Sequence, residues 1–211
     1  MHNCLTFADK SKQESMQNKV IIFSAPSGSG KSTIVNHILS LYPELEFSIS
    51  ATSRAPRGNE QNGREYWFYS EEEFRKMIAE GKFVEYEEVY SGSFYGTLKS
   101  ELDRIWGKGH VIIFDVDVKG GVNLKKYFRD QALSVFIQAP SVSCLRERLL
   151  HRGTDSMEAI DKRVAKAAEE IEFARGKFDF ILVNEELGKA FDEADKIVGD
   201  FIRKDIRPDG K

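Results

Sequence analysis

The run Ala25-Pro26-Ser27-Gly28-Ser29-Gly30-Lys31-Ser32 constrains this chain more than any other. It follows the apolar segment Val20-Ile21-Ile22-Phe23. It precedes the helical pattern Ile34, Val35, Ile38, Leu39 and Leu41, which Pro43 stops. A strand, a glycine-rich turn and a helix in that order form a cradle for phosphate. Gly28 and Gly30 let the backbone turn its N–H groups toward phosphate oxygens. The helix that begins near Lys31 aims the positive end of its dipole at the same place. Lys31 can reach the β- and γ-phosphates of a nucleotide, and the Ser32 hydroxyl is placed to ligate Mg2+; Thr33 closes the run. Ala25 stands where such loops begin with glycine. A left-handed alanine would cost about 1 kcal/mol or more, so a negative φ is predicted there.

Three further runs, Val111-Ile112-Ile113-Phe114, Leu133-Ser134-Val135-Phe136-Ile137 and Phe180-Ile181-Leu182-Val183, are β-rich and mostly continuous. They predict strands buried on both faces, hence a parallel sheet covered by helices. A fifth run, Phe47-Ser48-Ile49-Ser50, alternates and is placed toward an edge. Helical stripes lie between: Leu98, Leu102, Ile105 and Trp106; Ile160, Val164, Ala167, Ala168, Ile171 and Ala174; and Ala190, Phe191, Ala194, Ile197, Val198, Phe201 and Ile202. This alternation predicts a doubly wound α/β fold.

Residues 51–97 break the pattern. The aromatic runs Tyr66-Trp67-Phe68-Tyr69 and Phe83-Val84-Glu85-Tyr86 flank one helix, with Ser70 and Glu73 spaced as a capping box before Phe74, Met77 and Ile78. The reading is a small mixed β-rich insertion packed on its own aromatics, Trp67 and Phe68 in its core. Residues 141–163, rich in arginine, form a second insertion. The core is then 19–50, 98–140 and 164–211. Residues 1–18 read as a polar tail without a signal peptide's apolar centre, and Met16 is an alternative start.

Charge supplies exclusions. Lys and Arg total 31 against 34 Asp and Glu, a net charge of −3, which argues against a protein built to coat nucleic acid or an anionic membrane. No apolar run approaches the roughly 20 residues that span a bilayer. Cys4 and Cys144 are too few for a disulfide framework or a structural zinc site.

Two elements extend the cradle. Asp115 ends the second apolar run, and in a parallel sheet the strand ends share one edge, so this carboxylate can approach the Mg2+ held by Ser32. Arg54 and Arg57 flank Pro56, which stiffens their loop. Paired guanidinium groups suit one phosphate because each fork can donate two hydrogen bonds.

From residue 19 onward the chain resembles the guanylate kinase family. APSGSGKS is similar to that family's phosphate loop and ISATSRAPRGNEQNGREYWF to its monophosphate loop. FVEY, SGSFYGT, IIFDVDVKGG, RERLLHRGTDS and ILVN resemble later signatures in order. The resemblance implies an α/β fold: a P-loop NTPase-type parallel sheet flanked by helices, a mixed β-rich GMP-binding insertion over 51–97 and a small helical lid over 141–163. It implies Mg2+-dependent transfer of the ATP γ-phosphoryl group to GMP, and to dGMP, giving ADP and GDP in the cytoplasm. The state would be monomer or homodimer. Ser50, Arg54, Arg57 and Tyr66 would hold the GMP phosphate, with Tyr95 close by. Glu85 and Thr97 would read the guanine edge. Of Asp115 and Asp117, one would sit by the metal and the other by the guanine amino group; Asp115 is expected at the metal and Asp117 at the base. Arg148, Arg152 and Arg163 would reach the transferring phosphate from the lid and its hinge, and Asn184 would lie by the adenine. Gly153 would be a flexible point of the lid.

A second class shares the fold. Guanylate-kinase-like modules of membrane-associated scaffolds bind proteins without catalysis, and they usually lose the loop lysine and the lid arginines. Lys31, Ser32, Arg152 and Arg163 are all present here, and Glu85 and Thr97 speak against another small phosphorylated substrate. His37, His110 and His151 show no metal-ligand spacing and are read as helix-surface or strand-edge residues. Glu71-Glu72-Glu73 is a first helical turn, and Glu169-Glu170 a solvated helix face.

Overall fold

The computed structural model describes residues 18–153 and 156–204, without the side chains of Tyr90 and Arg152. All but one residue of the expected tail, with Cys4 and Met16, therefore lies outside the described residues. The chain runs through β1 (Val20–Ser24), α1 (Lys31–Leu41), β2 (Leu45–Phe47), β3 (Ala51–Thr52), β4 (Trp67–Phe68) and α2 (Glu71–Ala79). It continues through β5 (Phe83–Tyr90), β6 (Ser93–Leu98), α3 (Lys99–Trp106), β7 (Val111–Val116) and α4 (Val118–Phe128). The last elements are β8 (Ala132–Gln138), α5 (Val142–Arg152), α6 (Met157–Ala174), β9 (Phe180–Val183) and α7 (Leu187–Arg203).

Five strands form a parallel sheet in the order β2-β7-β1-β8-β9. Alternation explains why β1 reads as a continuous apolar run. Ile21 and Phe23 face α1 and α7, against Ile34, Ile38, Ala194 and Val198. Val20 and Ile22 face α3 and α4, against Leu102, Ile105, Leu124 and Phe128. Both faces are thus covered, and each such side chain removed from water contributes roughly 1.5–3 kcal/mol. The fold is the predicted α/β sheet flanked by helices.

Two strands depart from expectation. The edge strand is Leu45–Phe47 rather than the run from Phe47 to Ser50. Ser48 N–H still reaches Ile113 O, but Ile49 N–H turns to the Glu101 carboxylate at 2.8 Å, and the chain leaves the sheet. β9 was expected to be buried on both faces. Only Leu182 is; Phe180, Ile181 and Val183 are 46%, 43% and 40% exposed, because an edge strand has a neighbour on one side alone.

The second sheet, β4-β3-β6-β5, is mixed: β3 and β4 are parallel, the other pairs antiparallel. Phe74 fills its centre, stacked 4.4 Å from Phe83 and 5.4 Å from Phe94. Both halves of the capping box form: Glu73 N–H donates to the Ser70 hydroxyl, and Ser70 N–H to the Glu73 carboxylate at 2.7 Å. Trp67 packs against this core, but Phe68 does not; it lies half-buried beside Arg54, 5.7 Å from the guanidinium.

α5 and α6 pack through Leu145, Leu149, Ile160 and Ala167, while Ala168 of the expected stripe is exposed. Gly153 ends α5 at φ 64, a left-handed cap that suits glycine. At the other end of the molecule Lys19 is fully buried. Its amine donates to the carbonyls of Phe201, Ile202 and Lys204 and so caps α7.

Candidate active site

The loop after β1 has the conformation that its glycines permit. Gly28 and Gly30 have φ of 91 and 88. Among the described residues only Asn18 and Arg129 are non-glycines with positive φ, so Ala25 is negative as predicted. A Cβ on Gly30 would lie 2.4 Å from Asn184 Nδ2, whose amide donates to Ser29 O at 2.8 Å. Gly30 is also the N-cap of α1, and no side chain caps it, so the first-turn N–H groups face the loop's concavity.

A cavity of about 760 Å³ opens beside this loop. The whole run from Ala25 to Thr33 lines it. The second sheet and its connections supply Ser50, Tyr66, Glu85 and Tyr95, the end of β7 supplies Asp115 and Asp117, and α6 supplies Arg163. Lys31 forms an ion pair with Asp115 and donates to Val116 O at 3.1 Å. The loop lysine and the strand-end carboxylate therefore meet, with Ser32 in the same cavity. Asp117 caps α4, accepting Gly120 N–H at 2.7 Å.

Glu85 accepts a hydrogen bond from the Thr97 hydroxyl at 2.9 Å. They are cross-strand partners in β5 and β6. Thr97 is 1% exposed and lies behind Glu85 rather than on the cavity wall. Burial pushes the Glu85 carboxyl up to about 7; the nearby Asp117 and Glu87 charges add to the shift, and the Thr97 bond opposes it.

Arg54 and Arg57 stand outside the cavity lining. Arg54 lies behind the aromatic wall, its guanidinium 4.9 Å from the Tyr66 ring centre and its Nε–H donating to the Tyr95 hydroxyl at 3.1 Å. Arg57 is exposed. Arg148 and Asn184 line a second cavity, about 580 Å³, with Gly28, Gly30 and Thr33. There Arg148 donates to Asn184 O at 2.7 Å. The two cavities share Gly28, Gly30 and Thr33. The Arg152 side chain lies outside the described residues.

Three carboxylates escaped sequence reasoning. Glu60 accepts from both terminal nitrogens of Arg54, at 2.6 and 2.8 Å. Glu87 lines the cavity, 3.2 Å from Lys119, with one oxygen buried and unbonded. Glu170, expected on a solvated face, is half-buried and lines the cavity with Arg163 and Lys166; burial raises its carboxyl. The spacing of Arg163, Lys166 and Glu170 puts them on one helical face, the signal that could have found it. Of the histidines read as surface residues, His37 stacks on Phe191 at 3.9 Å, and His110 bonds Glu46 at 2.9 Å. His151 lines the second cavity.

A family model described as guanylate kinase matches residues 17–202. The chain belongs to the guanylate kinase family. It is 54% identical to the guanylate kinase of Bacteroides fragilis over 184 residues, 87% of this chain and 90% of the relative. It is 54% identical to that of Porphyromonas gingivalis over 88% of this chain and 99% of the relative. The crystal structure of guanylate kinase from Anaplasma phagocytophilum superposes with a TM-score of 0.68 at 28% identity, covering 88% of this chain and 87% of that one. The guanylate kinase reaction is transfer of the ATP γ-phosphoryl group to GMP, with Mg2+ accompanying ATP.

Proposed function

We propose that the two cavities form one phosphoryl-transfer site, GMP in the larger, the adenine of ATP in the smaller, and the loop from Ala25 to Thr33 between them. The chain is an ATP:GMP phosphotransferase of purine nucleotide metabolism. One observation carries the division of roles: a single cavity joins the phosphate loop to Glu85, which sits beside Thr97 on the insertion.

In this reading Ser50, Tyr66 and Tyr95 receive the GMP phosphate at the cavity wall, and Arg54 and Arg57, which stand outside the lining, reach it when residues 51–97 close on the nucleotide. Glu85 pairs with guanine N1–H and N2–H₂, two adjacent donors that match a carboxylate's two oxygens. Asp117 stands near the amino group. The Thr97 hydroxyl serves by holding Glu85. Asn184 and Arg148 flank the adenine side. Lys31 exchanges Asp115 for the β- and γ-phosphates, and its cationic head stays on the path of the transferring group. No side chain need act as base, because the GMP phosphate is already an anionic nucleophile. Arg152 and Arg163 bring charge to the equatorial oxygens when residues 141–163 close over residues 51–97, which also keeps water out.

Ser32 and Asp115 offer hard oxygen donors in one cavity, the set that suits Mg2+. Held there by Ser32 and Asp115, Mg2+ would supply charge neutralisation for the phosphates of ATP. The assigned partners leave the ribose 2′-hydroxyl unread, so dGMP is an acceptor as well. Among the described residues no helix is long and apolar enough to cross a membrane. We place the enzyme in the cytoplasm with its nucleotide pools, as a monomer or homodimer.

Replacement Lys31→Ala tests the phosphate loop. It should lower kcat by two or more orders of magnitude, the scale of losing about 3 kcal/mol of transition-state stabilisation, while circular dichroism shows the fold unchanged. Near-normal turnover would mean that the cradle is misassigned.

A further inference from the structure

Glu60 occupies the place where the sequence alone predicts an open pair of phosphate forks. One carboxylate oxygen accepts from Arg54 Nη2 at 2.8 Å; the other accepts from Arg54 Nη1 at 2.6 Å and from the backbone N–H of Arg57 at 2.8 Å. The second Nη1 hydrogen goes to Ala55 O at 3.0 Å, and Nε–H to the Tyr95 hydroxyl at 3.1 Å. A guanidinium has five N–H groups, and four are therefore committed. Arg54 is not the two-pronged grip expected from its spacing with Arg57; one of its N–H groups remains uncommitted.

What remains is a platform. The guanidinium carbon lies 4.9 Å from the Tyr66 ring centre and 5.7 Å from that of Phe68, and its Nε–H bonds the Tyr95 hydroxyl. Tyr66 and Tyr95 both line the large cavity. An arginine held on this many sides has already lost the rotamer freedom that binding would otherwise remove.

We propose that Glu60 is a positioning residue for the GMP phosphate: it ties Arg54 and the Arg57 backbone into one unit and presets how Arg54, Tyr66 and Tyr95 meet that phosphate. The inference rests on the assignment of those residues to the acceptor phosphate under Proposed function. Arg54 and the Arg57 N–H hold the Glu60 carboxyl down at about 2, so the tie is ionised at any working pH.

The test is Glu60→Gln, which keeps the shape and removes the charge. Steady-state KM for GMP and for ATP, kcat, and inhibition by guanosine are measured. Guanosine carries the base without the phosphate. KM for GMP should rise about tenfold, the scale of one weakened charged hydrogen bond. KM for ATP and the guanosine inhibition constant should stay within about twofold. A fall in KM for GMP would show that Glu60 competes with the phosphate and would overturn the proposal. So would an unchanged value. An equal rise in the guanosine constant would show only a damaged loop, and the proposal would again fail. Arg54→Ala is measured in parallel. If it raises KM for GMP while Glu60→Gln does not, the proposal fails and the arginine assignment stands. If Arg54→Ala also leaves KM for GMP unchanged, the phosphate assignment itself is wrong.

Discussion

In the proposed site guanine presents donors, so Glu85 must be ionised to accept from them, yet its environment favours the proton. Its carboxyl is raised to about 7, mainly by burial and further by Asp117 and Glu87. GMP should therefore expel a proton on binding below that pH. KM for GMP should climb as pH falls through 7 toward 6, approaching tenfold per unit, while KM for ATP follows a different profile. Glu85→Gln should abolish this climb and narrow the preference for GMP over AMP; an unaltered climb in the variant would remove Glu85 from the base site. The sign for stability is opposite to that of an ion-paired acid. The folded chain holds this proton between about 4.5 and 7 while the unfolded chain has released it, so the Glu85 contribution is present below that window and is lost as pH rises through it. Lys31, Gly28 and Gly30 were legible because the loop's chemistry is local in sequence. Glu60 was not, although it lies six residues from Arg54. A spacing can name two cations, but it cannot count which of their donors the loop has already spent. Glu170 was misread because charge on a helix normally marks solvent, and only the packed position of α6 turns it into the cavity.

α1 and the loop before it show how an element can be fixed by one position. Gly30 combines a φ of 88 with a Cβ site 2.4 Å from Asn184 Nδ2. In Gly30→Ala the backbone strain of about 1–2 kcal/mol adds to a displaced Asn184 and a lost bond to Ser29 O worth about 1 kcal/mol. Thermal unfolding should shift down by several degrees, and KM for ATP should rise at least about tenfold, since the loop and Asn184 move together. An unchanged KM for ATP would separate Asn184 from the nucleotide. Strands β1, β7 and β8 were readable from their apolar runs because central strands of a covered parallel sheet bury both faces. The same rule failed for β9, since a run of apolar residues does not reveal whether its strand has one neighbour or two; β2, read from its alternation, lies at the expected edge but spans Leu45–Phe47. The capping box at Ser70 and Glu73 held because both of its bonds lie within a single helical turn.

The parallel sheet sets the phosphate loop and Asp115 along one edge, the insertion brings Glu85 with the aromatic wall, and α5 and α6 bring the arginines. The doubly wound order followed from alternating patterns, and the mixed insertion from the break in them and its aromatic runs. Their joint did not: Glu101, 2% exposed, accepts from Ile49 N–H, from Trp67 Nε1–H at 3.2 Å and from Arg104, binding the insertion to the core through contacts far apart in sequence. In the proposed site this assembly has one task, to bring an acceptor phosphate chosen by its base to a donor phosphate held by the loop. A coupled ADP-release assay with ATP and each of GMP, dGMP, AMP, CMP and UMP measures that choice directly. GMP, followed by dGMP, should be turned over with kcat/KM at least about 10³-fold above AMP, because a site built around guanine's donors leaves a buried carboxylate unpaired against adenine. No turnover with GMP, or AMP turned over as readily as GMP, would contradict it.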